Sequence, residues 1–544
     1  MKRNSWLVVI LILVLSYGIL VVPVAHNASL VRVPAGWDTA IDFGRYYIVQ
    51  HNTVLDPSTT NSQTYVSAFR AVGAQDILPK IFFATINIIG GSTSFPQDAL
   101  SFVFIPIGYL LLIPISTLAI YEICLKKSKR PFKSLDALIL LLVSVFPMAS
   151  LIQQVNTTVS IIARGLFILL VALLLSVITD SGTRSGQTRK TKVALFLFLQ
   201  VPLYMLYHTW SLYLLVVMIG FLVFSLVARD SNLTRFSLFS LIAYGVVSLY
   251  LYTQALLIEP LMGLTAAIQG ETTINVVTIF SGYSPLSSVF SYIQAINIAL
   301  LLFIILIFCV YFMLIRLKKR KVAASEILIL VLVCDIFLVA LVLFTQGGIP
   351  LMLGRSMEFA FAVSLICAAF VLGSNDKKYL TRITEAAAII IVILCITSFL
   401  TGQNEQMNSL RPSEFTGIAF AGTHAKNNTA FFSDFRLANV LLYYNQPAIY
   451  TNDIETLYNE SYSNVMNIYY NNTTAPHIAL DPVIKNNLSY SVITSTYQTK
   501  VPLKDSSFYP LEPANTDFQS NFINDRQFDR VYDSASFSVY FRSR

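Results

Sequence analysis

The chain has 544 residues, of which 55% are hydrophobic and only 12% charged, and its mean hydropathy is +0.65. A water-soluble chain of this length carries about twice that charged fraction, so a protein soluble throughout is excluded. The net charge of +8 does not indicate nucleic acid, because the basic residues sit in short loops between apolar runs and not in a patch with interleaved aromatics.

In chain order, the apolar runs predict membrane helices at 6–25, 100–124, 135–152, 159–179, 193–207, 210–228, 236–258, 289–315, 325–345, 356–373 and 384–401. The first follows Lys2-Arg3 and is longer than the apolar part of a signal peptide. It reads as a retained anchor, with a cleavable leader as the alternative. The fifth and sixth helices divide one long apolar stretch near Tyr207-His208-Thr209. The expected fold class is therefore mainly α, a polytopic membrane protein of about eleven spans.

Loop charges set the expected orientation. Lysines and arginines crowd the loops 125–134, 180–192, 316–324 and 374–383, and the alternating loops 153–158, 259–288 and 346–355 are poor in them. Basic loops stay inside, so the N-terminus is expected to be cytoplasmic. Asn-x-Ser/Thr patterns begin at Asn27, Asn156, Asn232, Asn427, Asn459, Asn471, Asn472 and Asn487. All but Asn232 fall on the outer side in this arrangement, as glycosylation would require.

Two large outer pieces remain, a first loop at 26–99 and a C-terminal region at 402–544. The domain reading is thus a membrane module at 1–401, including the first loop, and an extracytoplasmic domain at 402–544. In the latter, 430–432, 448–450, 477–480, 490–493 and 531–540 read as strands, and 435–444 and 453–469 as helices, which predicts a small α/β domain. The five cysteines, Cys124, Cys309, Cys334, Cys367 and Cys395, lie in or at the ends of apolar runs. They form no Cys-x-x-Cys or Cys/His cluster, so no zinc or iron–sulfur centre is expected.

The first outer loop carries Asp38 and Asp42, four residues apart and so on one face if the segment is helical. A carboxylate at the membrane surface can accept a proton from a hydroxyl nucleophile or hold a divalent cation. Asp38 also reads as a helix cap ahead of Thr39. Other polar groups fall at the same membrane level. Arg164 lies about one turn inside its helix, His208 at the break between two helices, and Arg355 at the mouth of the 356–373 helix with Glu358 behind it. Ionisable groups at membrane depth are functional candidates by default. Arginine suits phosphate because its planar fork matches the oxygens and keeps its charge. The plainer readings are a snorkelling interface residue for Arg355 and a cap for His208. Asp335, in mid-helix, reads as a buried hydrogen-bonding group.

The first helix followed by Gly36-Trp37-Asp38, the Arg355-Ser356-Met357-Glu358-Phe359 helix entry, and the tail segments Phe432-Ser433-Asp434-Phe435-Arg436-Leu437-Ala438 and Phe528-Asp529-Arg530-Val531-Tyr532-Asp533 together resemble the GT-C superfamily of polytopic glycosyltransferases, the archaeal-type members most of all. The resemblance implies transfer of a sugar from a polyprenyl-phosphate donor to a glycan, lipid or protein acceptor at the outer face of the cell membrane. It implies Asp38 as the base, Arg355 and Arg164 on the donor phosphate, and His208 on phosphate or acceptor. The chain has no Trp-Trp-Asp segment, unlike oligosaccharyltransferase catalytic subunits. It has Asp-x-x-x-Asp in place of Asp-x-Asp, which favours transfer without a metal while leaving a divalent ion open. The competing readings are a non-catalytic envelope or assembly protein and a transporter. Against a transporter stand the absence of internal repeats and the large outer tail.

Overall fold

The computed structural model describes residues 112–152, 158–179, 186–206, 208–227, 231–253, 288–317, 323–345, 349–374, 378–402, 412–424, 430–433, 448–450, 475–481, 490–495, 518–534 and 537–542. Within these, the chain separates into a helical unit up to residue 402 and a C-terminal unit from residue 412.

The helical unit comprises α1 (Ile113–Ser128), α2 (Ser134–Ile152), α3 (Thr158–Thr179), α4 (Gly186–Leu206), α5 (His208–Val227), α6 (Ser231–Thr253), α7 (Ser288–Leu317), α8 (Ala324–Thr345), α9 (Ile349–Ser374) and α10 (Lys378–Gly402). These ten lie on the ten expected segments that fall in the described region. The segment at 6–25 lies outside it. Helix α9 starts at Ile349, seven residues before the expected boundary, because Pro350 sits where its missing N–H costs nothing and Gly354 does not stop the helix. Two helices contain unbroken apolar windows long enough to cross a bilayer, Ile162–Thr179 and Trp210–Val227, and shorter apolar stretches occupy Ser134–Val145, Leu233–Val247, Ala299–Leu314 and Phe359–Ser374. The full count of about eleven spans is not reached among the described residues.

Helix α9 is the hub, packing against α1, α2, α3, α7, α8 and α10, and its residues from Phe361 to Leu372 are buried throughout. Close approach depends on glycine. A Cβ on Gly165 would lie 2.5 Å from Leu112 Cβ, and one on Gly373 would lie 2.9 Å from the Tyr121 carbonyl oxygen. Small residues of this kind let backbones meet where lipid supplies no hydrophobic drive between helices.

The unit's outward surface is apolar. On α6, Leu238, Phe239, Ile242, Val246 and Leu249 are all exposed at helical spacing. Leu302, Phe303, Leu306, Val310 and Met313 form a matching stripe on α7, and Ile389, Ile390 and Ile393 one on α10. Water would not tolerate apolar surface on this scale, whereas lipid tails solvate it. The helical unit has the surface of a membrane protein.

The C-terminal unit holds α11 (Pro412–His424), β1 (Ala430–Ser433), β2 (Ala448–Tyr450), α12 (Pro476–Leu480), β3 (Tyr490–Ser495), α13 (Phe518–Asn524), β4 (Asp529–Ser534) and β5 (Phe537–Arg542). The strands form one sheet in the order β2-β1-β3-β5-β4. Strand β1 pairs parallel with β2 and β3, while β5 pairs antiparallel with β3 and β4. Helix α11 packs on β4 and β5, and on α13 the ring of Phe522 stacks on Tyr540 at 4.9 Å.

Two expected elements are corrected here. Residues 477–480 are helical: Pro476 starts the turn, and Asp525 accepts the His477 backbone N–H at 3.0 Å. The expected single strand at 531–540 is a hairpin, with Asp533 facing Ser538 across β4 and β5. The expected helices at 435–444 and 453–469 lie outside the described residues.

Candidate functional site

Near one end of the helical unit, buried aromatic rings tie the third turns of α3 and α9 to the first turn of α5. Phe167 of α3, Trp210 of α5 and Phe359 of α9 meet with ring centroids 5.3 Å (Phe167–Trp210), 5.6 Å (Phe167–Phe359) and 6.2 Å (Trp210–Phe359) apart. Tyr213 closes the cluster at 4.1 Å from Phe359 and 5.2 Å from Trp210. All four rings are buried to within about one per cent. Aromatic pairs at these separations add about 0.5–1.5 kcal/mol each beyond their burial, so the rings tie the three helices to one another.

Arg164 stands on this frame. It is 2% exposed, and its guanidinium carbon lies 5.5 Å from the Trp210 ring. A ring face attracts a guanidinium without cancelling its charge. Gly165, next along α3, brings the chain at Leu112 and Ile113 to within contact, which helps to seal Arg164 from water.

The frame also sets the level of the other candidates. Arg164 and Arg355 are each the seventh residue of their helices, about one turn ahead of the touching pair Phe167 and Phe359. The contact between those rings therefore puts positions 164 and 355 at one height. Arg355 was expected at the mouth of its helix and instead lies nearly two turns inside, because α9 begins at Ile349. Glu358 directly precedes Phe359, and His208 is the first residue of α5, two before Trp210. The structure describes the backbone of His208, Arg355 and Glu358, and their side chains are outside the described set. Asp38 and Asp42 lie outside it altogether.

Arg164 brings a permanent positive charge to this end, beside Trp210 in the first turn of α5, whose N-terminus is worth about half a positive charge. An anion with several oxygens suits such a place, a phosphate above all. Among the described residues no three His, Cys, Asp or Glu side chains gather closely enough to hold a metal ion.

Asp335 of α8 is 1% exposed, and neither carboxylate oxygen has a hydrogen-bond partner among the described residues, contrary to the expectation of a buried hydrogen bond. Sequence reasoning singled out Arg164 but not the rings around it, Phe167, Trp210, Tyr213 and Phe359. Nothing in a run of apolar residues distinguishes rings that meet each other from rings that meet lipid.

No family model matches the chain, and no curated protein matches it in sequence. Solved structures do match. The archaeal oligosaccharyltransferase AglB from Archaeoglobus fulgidus, in complex with an inhibitory peptide and a dolichol-phosphate, aligns over 91% of this chain and 70% of its own, with TM-score 0.53 at 10% identity. ArnT from Cupriavidus metallidurans, bound to undecaprenyl phosphate, aligns over 99% of this chain and 98% of its own, with TM-score 0.52 at 10% identity. The chain shares its fold with these solved structures. It matches ArnT over nearly the whole length of both chains, while the oligosaccharyltransferase carries substantial length beyond the match.

Proposed function

We propose that the chain is a GT-C glycosyltransferase that moves a sugar from a polyprenyl-phosphate donor to an acceptor hydroxyl at the outer face of the cell membrane. In this reading the chain spans the bilayer about eleven times, with its N-terminus cytoplasmic and its C-terminal domain outside. The acceptor oxygen attacks the anomeric carbon of the donor sugar, and its proton passes to Asp38. The bond between that carbon and the phosphate oxygen breaks. Polyprenyl phosphate leaves with the electron pair, and its charge is held by Arg164 and Arg355. Asp42 and Glu358 hold sugar or acceptor hydroxyls, and His208 meets the phosphate or the acceptor.

The observation that carries the proposal is the aromatic cluster that positions Arg164 against Trp210 in the first turn of α5. It supplies preorganised positive charge where a phosphate leaving group develops negative charge, which is the most effective way to lower such a barrier. Two proteins with this fold were captured with dolichol-phosphate and undecaprenyl phosphate, which supports a polyprenyl-phosphate substrate for this chain.

Mass spectrometry of cell-surface glycans from wild-type and deletion strains tests the proposal. Deletion should remove one sugar from a surface glycan, and re-expression should restore it. Identical glycan masses in the two strains, with no polyprenyl-phosphate binding by the purified protein, would contradict it.

A further inference from the structure

The opposite end of the helical unit carries a second charged surface that the transfer reading does not use. The end of α1 with the loop after it and the end of α9 are far apart in sequence and meet there. Ser128 Oγ donates to the Gly373 carbonyl at 2.8 Å, and Arg130 Nη1 donates to the Leu372 carbonyl at 3.5 Å. On α2, the buried Asp136 accepts from Tyr121 Oη at 3.0 Å and lies 3.9 Å from Lys133 Nζ. Glu385 of α10 interacts with Asp136, Lys133 and Arg382. Lys127 bonds to Ser325 at the start of α8. Together these contacts gather Lys126, Lys127, Lys129, Arg130, Lys133 and Arg382 into one patch, whose acidic neighbours among the described residues are Glu122, paired with Lys126 at 3.0 Å, Asp136, Glu326 and Glu385.

The cations are presented outward. The Lys126 side chain is 76% exposed and that of Lys133 is 49% exposed, and Lys129 and Arg382 are exposed as well. Exposed apolar side chains adjoin them, Leu135 on α2 with Tyr379 and Ile383 on α10. Basic loops alone would set orientation without being tied together. Here hydrogen bonds fix two of them as one surface, with cations beside a half-open apolar strip.

We propose that this end of the bundle is a docking surface for anionic glycerophospholipid headgroups. The headgroup phosphate pairs with Lys126, Lys129, Lys133 and Arg382, and the upper acyl chain lies along Leu135, Tyr379 and Ile383. Charge complementarity selects the headgroup, and the apolar strip selects a lipid over a free anion. The inference rests on reading the helical unit as membrane-embedded and does not depend on the transferase chemistry.

Lys129 provides a clean test. It closes α1 in the left-handed conformation, with φ 55°, where glycine is at ease and a lysine is strained. Lys129→Gly therefore removes a charge while relaxing the backbone. The full chain, purified in neutral detergent, is titrated with dioctanoyl phosphatidylglycerol, dioctanoyl phosphatidylcholine or inorganic phosphate, and its thermal unfolding is followed. Phosphatidylglycerol should raise Tm saturably, less so at high salt, and the other two should not. The triple variant Lys126→Gln, Lys129→Gly, Lys133→Gln should keep the wild-type Tm without lipid and require about tenfold more phosphatidylglycerol, or more, for the same shift. An unchanged response in that variant, an equal response to phosphatidylcholine, or a full response to inorganic phosphate would overturn the assignment. A chain that stays folded and monodisperse without detergent would instead break the membrane reading.

Discussion

Two buried arginines show how differently the two units are built. Arg164, in the helical unit, rests on the face of Trp210 inside a cluster of rings. Arg542, in the C-terminal unit, forms a two-pronged pair with Asp481, through Nε to Oδ1 at 2.9 Å and Nη2 to Oδ2 at 2.5 Å, and its Nη1 also reaches Gln527. A carboxylate neutralises a guanidinium, and a ring only positions it. Arg542 accordingly staples β5 to the end of α12, whereas Arg164 is positioned against the Trp210 ring. The two arginines thus show two means of anchoring, ring packing in the helical unit and a carboxylate pair in the C-terminal unit, where His477–Asp525 is a second polar staple.

If that contrast is right, the largest effect comes from breaking the frame. Trp210→Ala should cost about 4 kcal/mol of stability, because it empties a fully enclosed site touched by four side chains. Trp210→Phe should recover most of it. Thermal unfolding in detergent measures both, and a loss near zero for the alanine variant would mean that the rings do not organise α3, α5 and α9.

A smaller effect is expected at the polar staples. Asp525 accepts the His477 backbone N–H at 3.0 Å, the His477 ring Nδ1–H at 2.7 Å and the Gln527 backbone N–H at 3.2 Å. Asp525→Ala strands these donors and should cost about 2–3 kcal/mol, confined to the C-terminal unit. Limited proteolysis should then cut after residue 412 while leaving the helical unit intact. Cleavage spread over both units would erase the distinction between them.

The smallest effect is a response to alkali. Burial chiefly pushes the Tyr540 hydroxyl above its ordinary value of 10.0, and the nearby Asp533 carboxylate adds to this, while Ser538 and Arg530 act in the opposite sense. The folded unit thus holds the phenolic proton more tightly than the unfolded chain does. Its contribution is complete below about pH 10 and is lost as pH rises through the folded value. Tyr540→Phe should flatten the alkaline decline in stability of the C-terminal unit without changing it at neutral pH.

Some of this was legible in the sequence, and the reasons differ from place to place. Apolar runs such as 159–179 and 210–228 exceed what a soluble core helix needs, so α3 and α5 fall where hydropathy places them. Arg355 was misplaced as a boundary because a charge normally marks a helix mouth, whereas Pro350 opens α9 nearly two turns further out and Gly354 does not stop it. The helix at His477 was invisible because its cap, Asp525, is 48 residues away. The ionisable residues of the candidate site stood out against an apolar background. The rings that hold Arg164 did not, since Phe167, Trp210, Tyr213 and Phe359 come from three separate helices and meet only in the folded chain.

The central claim is sugar transfer with Asp38 as base. The most direct measurement compares wild type and Asp38→Asn, both purified and reconstituted in liposomes with a polyprenyl-phosphate hexose and an acceptor, by the rate of hexose transfer. Loss of a positioned base should slow transfer by about 10²–10⁴-fold while Tm and polyprenyl-phosphate binding stay unchanged. Transfer at the wild-type rate in the Asp38→Asn protein would contradict the account.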